Sequence, residues 1–228
     1  MNFNFKDCQR GLILGASSGI GSAIVESLQT KYQHLEILTP QRQSNELLDE
    51  LWWQSYIKEF SDIDFFINAI GILSDEQGPE KSVRDLCLDR TNYVFEVNCY
   101  INLLAMKYLK RKFSRKDGAL FCVLSAKVGS IEDNRLGGWY SYRMSKAALN
   151  MALKTFSLEN KSSQPNLICI AQHPGTTKTQ LTQKYLKNIS YKVKNTEETA
   201  SILIDLWEGL TPAHSGLFLN WDGKELPW

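Results

Sequence analysis

Tyr142 and Lys146 stand four residues apart in the run Tyr142-Arg143-Met144-Ser145-Lys146. On a helix that spacing turns about 400° and sets an ammonium beside a phenol on one face. A free tyrosine titrates near pH 10, too high for ready proton exchange at neutral pH, and a nearby positive charge favours its ionised form. Far upstream lies Gly15-Ala16-Ser17-Ser18-Gly19-Ile20-Gly21, a glycine-rich turn between an apolar run and a helical pattern. Glycines there permit a tight turn and let backbone N–H groups approach a pyrophosphate at the helix N-terminus, and Ser17 and Ser18 add hydroxyl donors. Together the two motifs point to a bound dinucleotide and a proton donor.

The glycine spacing is Gly-x-x-x-Gly-x-Gly, which differs from the commoner Gly-x-Gly-x-x-Gly fingerprint. After the next apolar run comes Thr39-Pro40-Gln41-Arg42, with no acid to accept the ribose hydroxyls of NAD. An arginine at that place can grip the extra phosphate of NADP, so Arg42 makes NADP(H) the expected cofactor and NAD the less favoured one.

The elements that must position these residues alternate. Gly11–Leu14, Leu35–Leu38, Ile63–Ile67, Ala119–Leu124, Leu167–Ala171 and Leu217–Leu219 read as strands, with helical patterns over Arg90–Phe113, Tyr140–Glu159 and Thr196–Leu210. Continuous apolar strands between helices imply an α/β fold: one doubly wound, Rossmann-type parallel sheet covered on both faces. Ligands sit at the carboxyl ends of such strands. The glycine turn, Asn68-Ala69-Ile70-Gly71, Ser125 and His173-Pro174-Gly175 each follow a strand directly, so they converge on one edge.

Composition bounds the rest. A chain of 228 residues without a Pro/Gly/Ser-rich linker is expected to close around one core, a single domain spanning 1–228. No apolar run approaches the roughly 18 residues of a membrane span, and the first residues lack the apolar core of a secretory signal. A cytoplasmic location with no membrane partner is the expectation. A net charge of +1 offers no field for nucleic acid. The cationic cluster from Lys107 to Lys116 complements a helix C-terminus and reads as a solvated helix end. The five cysteines are odd in number and lack ligand spacing, so they read as reduced, mostly buried thiols. His34, His173 and His214 lie far apart and read as structural; no metal is expected.

The turn Gly15 to Gly21, the stretch Asn68 to Gly71, Asn98, Tyr142-x-x-x-Lys146 and Pro174-Gly175-Thr176-Thr177-Lys178-Thr179 resemble, in order, the motifs of the short-chain dehydrogenase/reductase family. Gly129-Ser130-Ile131, Gly137-Gly138-Trp139-Tyr140-Ser141-Tyr142-Arg143 and Trp221 to Trp228 look like its C-factor and sniffer-type carbonyl reductases. The resemblance implies an oxidoreductase in which Tyr142 protonates a carbonyl oxygen as hydride arrives from the nicotinamide. It also implies that Lys146 lowers the phenol's pKa and holds the ribose, while Asn98 binds a water linking Lys146 to solvent. Gly15, Ser17, Ser18, Gly19, Ile20, Gly21, Asn68, Ala69, Gly71, Pro174, Gly175, Thr177 and Thr179 would join Tyr142, Lys146 and Arg42 around the cofactor. The substrate would be a small or apolar carbonyl or alcohol, and the assembly a homodimer or homotetramer. Tyr140, rotated about 240° from Lys146, is the weaker rival acid.

Two departures stand out. Where the family carries two serines before x-x-Gly, the second binding the substrate carbonyl, this chain has Leu124-Ser125-Ala126-Lys127-Val128-Gly129. Neighbours on a strand point to opposite faces, so Ser125, the candidate catalytic hydroxyl, needs a local twist to replace the missing one, and Ser130 is open as an alternative. Loss of an oxyanion donor costs on the order of a hundredfold in rate, which keeps a second reading alive: a cofactor-binding regulatory or signalling protein with little turnover. Further, only about 24 residues, 39 to 62, precede Ile63, too few for the strand and helix the family places there. A shortened segment with Trp52 and Trp53 is expected, without the family's adenine aspartate.

Overall fold

A computed structural model describes residues 2–17, 19–41, 44–113, 118–186 and 193–228. Strands β1 (Arg10–Leu14), β2 (Glu36–Leu38), β3 (Phe65–Asn68), β4 (Ala119–Leu124), β5 (Leu167–Gln172) and β6 (Leu217–Leu219) form one parallel sheet in the order β2-β1-β3-β4-β5-β6. Helices α1 (Gly19–Lys31), α2 (Ser44–Leu47), α3 (Glu50–Tyr56), α4 (Leu88–Phe95), α5 (Ile101–Leu109), α6 (Tyr140–Asn160) and α7 (Thr196–Trp207) connect and cover it.

Every residue of β3, β4 and β5 is buried, which is why their sequences are unbroken apolar runs rather than alternating ones. Successive residues feed two separate cores. Leu12, Phe66, Phe121 and Cys169 pack with Trp53, Leu109, Leu149 and Leu153 on one face. Ile13, Phe65, Leu120 and Ile168 pack with Ile24, Leu28, Leu203 and Trp207 on the other. The strand order reverses direction between β1 and β3, so the loops after these two strands diverge and open a crevice there.

Among the described residues between β2 and β3 the chain forms α2 and α3 and no strand, and β2 is left as the sheet's edge. Trp53 fills the space a longer crossover would take: it is fully buried, donates through Nε1 to Leu47 O at 2.8 Å and stacks on Tyr108 of α5. The helical pattern from Arg90 to Phe113 is not one helix. A π turn over Glu96–Tyr100 separates α4 from α5, and Asn98 lies within it.

Candidate active site

The first and last glycines of the Gly15 turn are forced by one another. Gly15 adopts φ +80°, and a Cβ on Gly21 would collide with Gly15 O, so β1 and α1 meet with no room for a side chain. Gly19 (φ +61°) and Ile20 open α1 at the rim of a cavity of about 520 Å³. Ala69, Ile70, Gly71, Tyr142, Lys146, Pro174 and Thr179 also line it. A Cβ at Gly71 would sit in ordinary contact, 3.4 Å from Asn98 Oδ1 and 3.5 Å from Lys146 Nζ, so the loop after β3 passes close to both side chains. The candidate residues Ser18 and Arg42 lie outside the described residues.

Asn68 does not line this cavity. Its amide donates to Asn102 Oδ1 at 2.8 Å and accepts from Ile70 N at 2.8 Å, so it shapes the loop after β3 from behind. Asn98 is likewise engaged: Oδ1 accepts from Ile72 N at 2.9 Å, and Nδ2 donates to Ile72 O at 2.8 Å and Ser145 Oγ at 3.0 Å. Its backbone carbonyl accepts from Asn102 Nδ2. This network clamps the loop, the π turn and α6 together.

A second cavity, about 580 Å³, shares Tyr142, Ser125, Ile20, Pro174 and Thr179 with the first. Its walls are largely apolar: Leu73, Val128, Trp139, Leu181 and Tyr185. Tyr142 is therefore at the junction of two spaces. Burial pushes its phenol up to about 12 and holds Lys146 down at about 8. Lys146 Nζ donates to Leu124 O at 2.9 Å. Gly129 lets the chain after β4 press against α6, since a Cβ there would lie 2.8 Å from Lys146 Cβ.

The three positions weighed for the carbonyl-binding hydroxyl separate clearly. Ala126 packs against Tyr142 and Leu73, which puts a methyl at that wall. Ser125 is turned toward α6, its Oγ bonded to the Asn150 amide at 2.6 Å. Ser130 is buried away from the cavity, accepting from Asp133 N at 3.0 Å and reaching Trp228 O at 3.3 Å. Thr177 is also turned inward, sharing a hydrogen bond with Thr199 at 2.8 Å.

Other site features have no local sequence signal. Gly137, Gly138 and Trp139 all adopt positive φ immediately before α6, and Trp139 at φ +53° is the only non-glycine to do so among the described residues. That costly conformation swings its indole over the cavity, in edge contact with Tyr142 and Tyr185. Trp139 offers α6 no side-chain cap; instead buried Glu80 accepts from Ser141 N and Ser141 Oγ while its carbonyl takes Trp139 N. A carboxylate at a helix N-terminus is favoured by the backbone dipoles.

A family model described as enoyl-(acyl carrier protein) reductase matches residues 50–203. The chain belongs to the short-chain dehydrogenase/reductase family. Its similarity to the 1-hydroxy-2-glutathionyl-2-methyl-3-butene dehydrogenase of a Rhodococcus strain is 38% identity over 49% of this chain and 48% of that protein. To the C-signal of Myxococcus xanthus it is 32%, over 50% of this chain and 64% of that protein. These matches thus span only about half to two thirds of the relatives' length. Among solved structures, the carbonyl reductase Sniffer of D. melanogaster superposes with a TM-score of 0.79 at 20% identity, covering 96% of this chain and 99% of that one. The NADPH-bound carbonyl reductase from chicken fatty liver gives 0.76 at 23%, covering 96% and 94%. Both share the short-chain dehydrogenase/reductase fold with this chain. Among the described residues no helix is long and apolar enough to cross a membrane.

Proposed function

We propose that the protein reduces a small or apolar carbonyl compound with NADPH, Tyr142 giving the proton. The observation that carries this reading is Tyr142 at the junction of a glycine-built cavity and an apolar one, with Lys146 buried beneath it. The forced glycine turn and the cavity beside it fit a dinucleotide, with Gly19, Ile20, Ala69, Gly71, Lys146, Pro174 and Thr179 around it. Structures of similar fold carry NADP or NADPH in their descriptions, which supports that choice. Such a cofactor supplies a hydride when bound.

The chain's own residues do the rest. The phenol, held neutral by burial, keeps its proton until a carbonyl oxygen beside it gains negative charge. Lys146, charged below about pH 8, then stabilises the phenolate left behind. Leu73, Val128, Trp139 and Tyr185 exclude water from the apolar side and select an apolar substrate. The deciding experiment is NADPH oxidation against aldehydes, ketones and diketones, with Tyr142→Phe expected to retain NADPH binding and lose roughly a hundredfold or more in turnover. Tyr140→Phe should do far less.

One observation favours a second reading. The methyl of Ala126 against Tyr142 leaves the family's carbonyl-binding hydroxyl missing, as in a protein that binds NADP(H) to signal its level. Tight NADPH binding with no turnover on the whole panel would establish it over the reductase.

A further inference from the structure

We propose that His173 replaces the missing serine, its Nε2–H donating to the substrate's carbonyl oxygen opposite Tyr142. This deepens the reductase reading and rests on it. His173 is the residue immediately after β5, and β5 pairs with β4 through Leu124 opposite Gln172. The pairing continues one step further, Ser125 N donating to Gln172 O at 2.8 Å, so His173 stands beside Ser125 and Ala126 at the neighbouring strand end. It lines the same apolar cavity as Ala126 and Tyr142.

The two serine hydroxyls nearest Ala126 in the chain are directed elsewhere. Ser125 bonds Asn150, which lies eight residues beyond Tyr142 on α6, about 12 Å along the helix. Whichever way the Asn150 amide is turned, Ser125 Oγ is drawn away from the phenol. Ser130 is tied to Asp133 N and Trp228 O. Arg143, which also lines the cavity, is held by Gly138 O at 3.0 Å and Val128 O at 3.2 Å.

The imidazole is different. Its Nδ1 is buried with no hydrogen-bond partner among the described residues, while the residue itself is only half-buried. Nε2 is therefore the ring nitrogen that cavity contents can reach. Burial, with Lys194 and Lys127 nearby, holds the ring's pKa down at about 4, so it is neutral at physiological pH and carries one proton. An unpaired buried N–H is the costlier orphan than an unpaired lone pair, which places that proton on Nε2, facing the cavity. No charge is introduced, so Tyr142 keeps its place as the acid.

The test is steady-state NADPH oxidation with the best carbonyl substrate of the wild type, alongside NADPH titration and circular dichroism. His173→Ala should lower kcat/KM by roughly a hundredfold, the cost of one oxyanion donor, with NADPH affinity within about twofold. Adding Ala126→Ser to that variant should recover at least about tenfold of the loss, because the hydroxyl returns at the vacated wall. His173→Gln, which keeps a donor and fills the same space, should stay within about tenfold of the wild type. A His173→Ala enzyme within about threefold of the wild type, a double variant with no recovery, or a Gln variant as poor as the Ala one overturns the role of His173 while leaving the reductase reading in place. A wild type that binds NADPH and turns over nothing overturns the reductase reading itself.

Discussion

Asn98 donates to Ser145 Oγ at 3.0 Å, joining the π turn to α6 one residue before Lys146. Ser145 Oγ in turn donates to Tyr142 O at 2.9 Å. The two residues named for acid chemistry are thus held in register by a side chain whose polar atoms are otherwise bonded to Ile72. Asn98→Ala strands Ile72 N and Ile72 O and takes one donor from Ser145 Oγ, and is expected to cost about 2–4 kcal/mol in urea unfolding. A loss below about 1 kcal/mol would show that the clamp does not hold the site.

Reduction should weaken as pH rises through about 8. Burial lowers Lys146 from 10.5 to about 8, so its ammonium, and the field that stabilises the phenolate, are present below that value and lost above it. The same shift favours the neutral amine in the folded state, so Lys146 adds stability as pH climbs from about 8 toward 10.5. Tyr142, raised from 10.0 to about 12, withdraws stability as pH climbs above 10. The check is kcat/KM against pH; a profile flat to pH 9.5 excludes charged Lys146 from the reaction.

NADPH should bind more tightly than NADH. Arg42 lies outside the described residues, so this rests on the sequence: a cation and no acid after β2. A charge-assisted contact to the 2′-phosphate is worth roughly 1.5–3 kcal/mol, about tenfold to a hundredfold in affinity. Calorimetry should show Arg42→Ala erasing most of the difference, and equal affinities in the wild type would refute the assignment.

Assembly as at least a dimer is the last expectation. Met144, Met151 and Leu158 lie seven residues apart on α6 and are all exposed, as are Tyr100 of the π turn and Leu103 of α5. Such apolar stripes on α5 and α6 suit the two-fold packing common in the family. Light scattering should give at least twice 26.0 kDa, and Met151→Glu with Leu158→Glu should halve it. A wild-type monomer at high micromolar concentration rejects the interface.

The parts of the fold that rest on local pattern were readable: six apolar runs became six strands, and the glycine spacing marked a turn whose glycines touch. The shortened segment before Ile63 followed from length alone, and the structure fills it with α2, α3 and buried Trp53. What escaped depends on contacts between distant residues. Glu80 caps α6 from 61 positions away, Trp139 holds a left-handed backbone that its own type disfavours, and the π turn interrupts a pattern that reads as one helix. His173 read as structural although its strand end placed it on the same edge as Ser125; the β4 and β5 register adds that it stands beside Ala126 on the wall of one cavity.

The missing strand beyond β2 has a consequence for inhibitor selectivity. Among the described residues the sheet stops at Glu36–Leu38, and only the short α2 and α3 follow before β3. A family member with a full strand and helix before β3 would present a different wall on that outer flank, so a compound reaching past β2 would meet the shortened segment.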